Sequence, residues 1–233
     1  MMIILERVWK KYYFHQVFHR SLREDIVNFF KKRPKNEMGK GEFWALKDIT
    51  FRVRKGECVG LYGPNGAGKS TILKLIARVT YPTKGTVTVK GRVAPLIEIG
   101  AGFHPDLTGR ENIYINGAIL GMRIKEIKQK IPQIVEFSEL GEFIDMPVKK
   151  YSSGMYLKLG FAVAIHSEAD IFLIDEILAV GDEAFQKKCL EKIEELKRRS
   201  KTILFVTHNR RLMEKIANRT FFLKKGEMTK VVG

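Results

Sequence analysis

Short apolar runs alternate with amphipathic segments along most of this 233-residue chain. Helical spacing follows residue 69 and again fills 184–200. Continuous or alternating apolar residues predict strands at 49–62, 84–99, 171–175 and 202–208. Strands that alternate with helices indicate an α/β fold built on a parallel sheet, and the last short pair at 220–228 adds an antiparallel β edge.

The pattern changes between residues 107 and 167. Three segments there, ENIYINGAILGM, KEIKQKIPQIVEF and YLKLGFAVAIH, carry helical spacing with little strand character between them. We therefore expect an inserted α-helical subdomain at 107–167. Residues 1–106 and 168–233 would together form the α/β core.

A basic segment at about 14–43 does not continue the strand pattern. Basic residues crowd 31–33, and a proline follows at once. Four apolar residues recur at helical steps, namely Phe18, Leu22, Ile26 and Phe29. The pattern predicts a short basic amphipathic helix over 18–33. Such a helix is typical of a membrane surface or a partner groove, and equally of a helix that covers its own domain.

Composition adds information mainly through charge. The formal net charge of +16, from 42 Lys and Arg against 26 Asp and Glu, favours contact with a polyanion such as nucleic acid or anionic lipid headgroups. A thermophile-like surface rich in Lys and Glu is the alternative explanation. No stretch approaches the roughly 20 apolar residues of a membrane span. Cys58 and Cys189 lie in unlike contexts that suggest no bridge, which favours a reducing compartment.

The sequence GPNGAGKS fits the phosphate-binding pattern G-x-x-x-x-G-K-[ST]. Its glycines let the backbone wrap phosphates closely, with several N–H groups pointing inward. Lys69 would reach the β- and γ-phosphates, and the Ser70 hydroxyl would bind Mg²⁺. A strand precedes this loop and a helix follows it, as the mechanism requires. We therefore expect a nucleotide site formed by Gly63, Pro64, Asn65, Gly66, Ala67, Gly68, Lys69, Ser70 and Thr71.

Acidic residues end the apolar strand in the run IFLIDE. Open parallel sheets bind ligands at the carboxyl ends of their strands. Asp175 is therefore expected to bind Mg²⁺, and Glu176 to orient and deprotonate an attacking water. His208 ends the next strand-like run and would reach the γ-phosphate along the same edge of the sheet.

Three small residues, Ser152, Ser153 and Gly154, lead directly into an apolar helical stretch. Serines ahead of such a stretch predict a helix N-terminus, whose free N–H groups favour an anion. This segment has no phosphate-clasping lysine of its own, so the residues alone leave open which anion it meets.

Taken together, these motifs resemble the nucleotide-binding subunit of ABC transporters over nearly the whole chain. GPNGAGKST corresponds to the Walker A motif, IFLIDE to Walker B, and YSSGM to the signature motif. AVGD, ending at Asp182, corresponds to the D-loop, and His208 to the switch histidine. Tyr12 lies where the family has an aromatic that stacks on adenine, with Tyr13 as the alternative. The resemblance implies a P-loop NTPase (RecA-like) core, ATP and Mg²⁺ as cofactors, and ATP hydrolysis as the activity.

The resemblance also implies a homodimer. In the family two subunits close head to tail and trap each ATP between one subunit's Walker A and the other's signature motif. The helix start at 152–154 would then meet the γ-phosphate held by Lys69 of a second copy. The sequence departs from the family pattern in two motifs. The signature reads YSSGM in place of LSGGQ, and Glu98 stands where the family has a glutamine. A carboxylate there can still bind Mg²⁺ or orient water, so Glu98 is a candidate catalytic and metal-binding residue, although it adds negative charge beside the triphosphate.

Several features resemble the ATPases that export O-antigen, capsule or teichoic acid. They are YSSGM, the IEIGAGF loop, LAVGD and the insertion ahead of Trp44. This resemblance implies a small integral-membrane permease as partner and a polymer carried on a lipid as cargo. It also implies a peripheral location on the cytoplasmic face of the cell (inner) membrane. By analogy, the basic helix at 18–33 would lie near anionic headgroups and the permease.

Other functions are weaker explanations of the sequence. An ABC-type ATPase of another exporter is the nearest alternative. A soluble relative acting on nucleic acid would account for the net charge, but the sequence has no second cassette, no long coiled coil and no recognised nucleic-acid module. We therefore expect no specific nucleic acid partner. A regulatory nucleotide binder without turnover is disfavoured by the presence of both Lys69 and Glu176.

Overall fold

The computed structural model describes residues 1–13, 41–97, 99–175, 182–207 and 209–232. The basic helix expected at 18–33 lies outside these residues. The strands are β1 (Ile3–Tyr13), β2 (Glu42–Val53), β3 (Cys58–Tyr62), β4 (Lys84–Val89), β5 (Val93–Leu96), β6 (Ile171–Asp175), β7 (Thr202–Val206), β8 (Arg219–Lys224) and β9 (Glu227–Val232). The helices are α1 (Lys69–Ile76), α2 (Gly109–Ile119), α3 (Ile124–Ser138), α4 (Ser153–Ile165), α5 (Glu183–Arg198) and α6 (Arg210–Ile216), with short 3-10 turns at Gly141–Asp145 and Val148–Lys150.

The described strands form two sheets. One is antiparallel, in the order β2-β1-β4. The other has the order β5-β6-β7-β3-β8-β9 and is parallel up to β8, with β9 antiparallel at its edge. The α/β fold class expected from the sequence, with its antiparallel edge, is confirmed.

The central parallel strands are buried on both faces, which explains why their sequences are continuous apolar runs. Successive side chains of a strand point to opposite faces of the sheet. In β6, Phe172 and Ile174 pack into a core shared with the helices, whereas Ile171 and Leu173 pack into a second core beneath the antiparallel sheet. Because β3 lies between β7 and β8, the loop that follows it opens at the middle of the sheet's carboxyl edge.

Helices α2, α3 and α4 lie in the stretch where the sequence predicts a helical insertion. A capping box starts α2, in which Thr108 Oγ1 accepts from the Glu111 amide and Glu111 Oε2 accepts from the Thr108 amide. Helix α4 is buried all round from Leu159 to Ile165, and its Phe161 packs in the same core as Phe172 of β6. One core thus joins these helices to the sheet, and the boundaries proposed for a separate subdomain stay a prediction. Within the described residues, the helices are too short or too polar to cross a membrane.

Candidate functional site

The glycine-rich loop joins β3 to α1 and wraps tightly before the helix begins. Gly66 and Gly68 take left-handed backbone angles, with φ of 74° and 104°, which a glycine adopts without the steric cost that a Cβ imposes. Gly68 is the N-cap of α1 and offers no side chain to cap it. The amides of the first helical turn, which includes Ser70 and Thr71, therefore lack partners inside the helix and are available to an anion.

Lys69 lies folded back over this loop. Its side chain is 5% exposed, and its Nζ donates to the Gly63 carbonyl at 2.8 Å and to the Pro64 carbonyl at 3.0 Å. The ammonium group is thus positioned at the centre of the loop, where phosphate oxygens would replace the two carbonyls as acceptors.

A cavity of about 540 Å³ opens above the loop. Among the described residues, its lining consists of Tyr12, Phe43, Ala45, Asn65, Gly66, Ala67, Gly68, Lys69, Ser70, Thr71, Ile97 and Asp175. The structure therefore brings together the Walker A residues from Asn65 to Thr71, two aromatic side chains and the carboxylate that ends β6. Gly63 and Pro64, also predicted for the nucleotide site, do not line the cavity. Hydroxyl and carboxylate oxygens such as those of Ser70 and Asp175 are hard ligands of the kind that Mg²⁺ prefers.

Two aromatic residues, Tyr12 and Phe43, line the cavity. Tyr12 and Phe43 are partners across the β1–β2 pair, and their ring centroids lie 5.9 Å apart at an interplanar angle of 33°. Lys10 Nζ lies 4.9 Å from the Tyr12 ring centroid and is itself held by Thr80 Oγ1 at 2.7 Å. Tyr13 does not line the cavity and is 62% exposed. Sequence reasoning missed Phe43, although it directly precedes the Trp44 noted after the insertion.

Three predicted catalytic residues, Glu98, Glu176 and His208, lie outside the described residues. Their roles stay predictions. Among the described residues, β6 ends at Asp175 and pairs in parallel with β7, with Asp175 opposite Val206. Both strands therefore end at the edge of the sheet where the cavity opens.

The signature segment YSSGM begins α4 as the serine pattern predicts. Ser152 is the N-cap, and its Oγ accepts from the Met155 amide at 3.2 Å. Ser152 and Ser153 are exposed. A Cβ built on Gly154 would meet only Ser152 Oγ, at 3.9 Å, so nothing described within the chain requires a glycine there. Tyr151 turns inward, and its hydroxyl donates to the Phe143 carbonyl at 2.7 Å.

Asp182 lies at the N-terminus of α5, apart from the cavity. Its Oδ1 accepts from the Phe185 amide at 2.9 Å, and its Oδ2 accepts from Lys158 Nζ of α4 at 3.3 Å. The backbone bond and the ammonium group both lower the pKa of this carboxyl. Lys158 also donates to Glu139 at 2.8 Å, so that α3, α4 and α5 meet at one charged contact. The structure thus ties Asp182 to the signature helix, a link that the motifs alone do not indicate.

The cavity walls described here do not include Ser152, Ser153, Gly154 or Asp182. One chain therefore presents a phosphate loop in a cavity and, elsewhere, an exposed helix start suited to an anion. The model of the ABC transporter family matches residues 46–179, which is more than half of the chain. The chain belongs to the ABC transporter family. The resemblance drawn from the motifs, and with it the prediction of an ABC-type ATPase, is confirmed.

Similar proteins support this family assignment. The chain is 53% identical over 208 residues to the O-antigen export system ATP-binding protein RfbB of Klebsiella pneumoniae, covering 89% of this chain and 84% of that protein. It is 43% identical to the teichoic acids export ATP-binding protein TagH of Bacillus anthracis, covering 96% of this chain and 39% of that protein. The chain therefore spans most of RfbB and well under half of TagH.

Solved structures share the ABC fold. A dimeric structure of the bacterial ABC transporter cassette MJ0796 matches with a TM-score of 0.77 at 23% identity, covering 99% of this chain and 98% of the cassette. A second structure of the same cassette, described as a post-hydrolysis dimer bound to ADP and Pi, also gives a TM-score of 0.77, at 22% identity. At these identities the likeness establishes the fold.

Proposed function

We propose that this chain is the ATP-hydrolysing subunit of an exporter that moves a lipid-linked polysaccharide, of the O-antigen or teichoic acid type, across the cytoplasmic membrane. The similarity to RfbB and TagH, whose names state export of O-antigen and of teichoic acids, supports a cargo of this type. The chain would work as a homodimer, bound to an integral-membrane permease on the cytoplasmic face.

One observation carries the dimeric mechanism. The exposed start of α4 has the features of an anion site, lies apart from the cavity of its own chain, and keeps an unobstructed glycine at 154. Glycine makes a helix less stable than alanine does. Because no described contact within the chain requires a glycine at 154, its presence favours a close contact with another molecule. We infer that a second copy brings its bound triphosphate against Ser152, Ser153 and Gly154.

The chemistry of the composite site follows from this arrangement. Lys69 and the free amides of α1 would hold the β- and γ-phosphates, while Tyr12 and Phe43 contact the adenine. Ser70 and Asp175, with Glu98 as a further candidate, would hold Mg²⁺, which when bound neutralises charge that develops on the phosphates. Glu176 would orient and deprotonate the attacking water, and His208 would contact the γ-phosphate. Asp182, held by Lys158, would face the partner copy.

A second cavity, of about 330 Å³, is lined mainly by apolar side chains. Its walls include Pro95, Ile97, Ile99 and Leu120, and Ile119 at its rim is 62% exposed. It borders the segment around residue 98, where the family contacts its transmembrane partner. We propose that an apolar segment of the permease occupies this cavity, and that this contact places the chain at the membrane surface.

The export function can be tested in cells that lack this chain. We expect surface polysaccharide to disappear and lipid-linked polymer to accumulate inside, with the wild-type gene but not Lys69→Ala restoring export. Normal surface polysaccharide in the null cells, together with loss of another exported compound, would contradict the cargo and leave the ATPase assignment intact. Purified protein should release phosphate from ATP only when Mg²⁺ is present, and activity that persists in excess chelator would contradict the metal assignment.

A further inference from the structure

The loop at 99–104, which follows β5, is hydrogen-bonded by side chains from two helices. Tyr156 Oη donates to the Gly100 carbonyl at 2.9 Å. Asn116 Nδ2 donates to the Ala101 carbonyl at 3.0 Å, and Asn112 Nδ2 donates to the His104 carbonyl at 3.1 Å. Since Asn112 and Asn116 lie on α2 and Tyr156 lies on α4, the loop is bonded to both helices.

The two asparagines tie the loop firmly to α2. Asn112 is fully buried, and its Oδ1 also accepts from the His104 amide at 2.7 Å. Asn116 is 6% exposed. Breaking the bond from Asn116 to Ala101 would leave the buried Asn116 amide without the acceptor it has in the fold, which costs more than the bond itself contributes. This part of the loop is therefore anchored to α2.

Contact with α4 is equally close. The Phe103 and Tyr156 rings meet edge to face with centroids 5.0 Å apart. Gly100 has a left-handed φ of 76°, and a Cβ there would overlap the Tyr156 ring. One turn further along α4, a Cβ on Gly160 would lie 2.8 Å from the Gly100 nitrogen. Gly100 and Gly160 thus allow close contact between the helix and the loop backbone. The Tyr156 hydroxyl donates the hydrogen bond that joins them.

Tyr156 also lies one turn from the start of the signature helix, because its amide donates to the Ser152 carbonyl at 3.0 Å. The loop to which the Tyr156 hydroxyl donates also forms part of the wall of the apolar cavity, through Ile99, Gly100 and Ala101. We propose that Tyr156 is a positioning residue that couples this cavity wall to the signature motif. Displacement of the 99–104 loop by a bound segment is carried through the Tyr156 hydroxyl to Ser152, and ATP trapped at Ser152 in turn restrains the loop. This inference rests on the proposed function, in which a second copy's ATP meets the signature motif.

Hydrogen exchange measured on the full chain tests the coupling, since coupling between two sites is reciprocal. Glu176→Gln, which should trap the ATP-bound dimer, provides the background. On dimer formation the Phe103 amide, which donates to the Gly100 carbonyl at 2.9 Å, should exchange at least about fivefold more slowly. Adding Tyr156→Phe, which keeps the ring and removes the donor, should abolish this ATP-dependent slowing. Tyr151→Phe is the matched control, because it removes a tyrosine hydroxyl of the same segment that donates to the Phe143 carbonyl and not to the loop.

The outcomes separate a coupling role from a purely structural one. A purely structural Tyr156 would raise exchange equally with and without ATP, and the ATP-dependent change would survive in Tyr156→Phe. That result, or the same loss in Tyr151→Phe, would overturn the inference. Size-exclusion chromatography of the same samples shows separately whether a dimer forms. If ATP produces no dimer in the Glu176→Gln background, the proposed function itself fails, and this inference fails with it.

Discussion

Replacing Gly154 should have opposite effects on two properties: it should stabilise the isolated chain and weaken ATP-dependent dimer formation. Within the described chain, a methyl group at 154 meets only Ser152 Oγ, at 3.9 Å. Alanine replaces glycine in a helix with a gain of roughly 0.5 to 1 kcal/mol. Gly154→Ala should therefore raise the thermal midpoint of the isolated chain by about 1–4 °C, from the usual dependence for domains of this size.

The same methyl group should disturb the composite site. In the dimer it would project into the surface that a phosphate approaches, and overpacking of a fitted contact costs roughly 1 to 3 kcal/mol. ATP-dependent dimer formation and phosphate release should therefore fall by about tenfold or more, since 1.4 kcal/mol corresponds to a factor of ten. Binding of ATP to the monomer, which depends on the Walker A loop, should stay unchanged and serves as the internal control.

The assay combines thermal unfolding, ATP binding to monomer at low protein concentration, and phosphate release at high protein concentration. A Gly154→Ala protein that is as active as wild type would refute the reasoning, because an anion-contacting helix start cannot accept the methyl group without cost. A Gly154→Ala protein that is less stable than wild type would contradict the first part of the prediction, namely that a methyl group at position 154 meets no obstruction within the chain.

Three further predictions follow from the site and the core. Lys69→Ala should abolish phosphate release and weaken ATP binding by about tenfold or more, because a charged hydrogen-bond donor to the phosphates is lost. Phe43→Ala should weaken ATP binding by about three- to tenfold through the lost aromatic contact, with the exposed Tyr13→Ala as the matched control. His166 is buried, and burial lowers its pKa from 6.5 to about 4. The unfolded chain therefore takes up the proton first as pH falls. Between pH 6.5 and about pH 4, this difference in protonation lowers the free energy of unfolding by about 3 kcal/mol, and the full stability is present above pH 6.5. Urea unfolding should show a smaller loss of stability over this range in His166→Gln.

A specific result would contradict each of these three predictions. Phosphate release by Lys69→Ala would mean that another cation holds the phosphates. Equal ATP affinity in Phe43→Ala and Tyr13→Ala would remove Phe43 from the adenine site. An unchanged acid dependence of stability in His166→Gln would show that His166 titrates normally in the folded chain.

The sequence predicted the elements whose causes are local. Strand β6 runs from Ile171 to Asp175, as the apolar run indicates, because both of its faces are buried. The start of α4 after Ser152 also follows from capping chemistry that acts within a few residues. The Walker A loop is predictable for the same reason, since its glycines and lysine act within nine consecutive positions.

Contacts that depend on distant pairing could not be read from the sequence. Phe43 reaches the cavity because β1 and β2 pair with Tyr12 opposite Phe43, a register set across a long intervening segment. Asn112 and Asn116 are polar residues that helical spacing alone would leave unexplained, and only the packed loop shows what they bond. The bond from Lys158 to Asp182 likewise requires α4 and α5 to meet in space.

The central claim is that two copies of this chain trap ATP between the Walker A loop and the signature helix. Light scattering during size-exclusion chromatography of Glu176→Gln with ATP and Mg²⁺ tests it most directly. The account predicts a dimer that requires ATP, that is lost when Lys69→Ala is added, and that Gly154→Ala weakens by about tenfold or more. A monomer under all nucleotide conditions would contradict it.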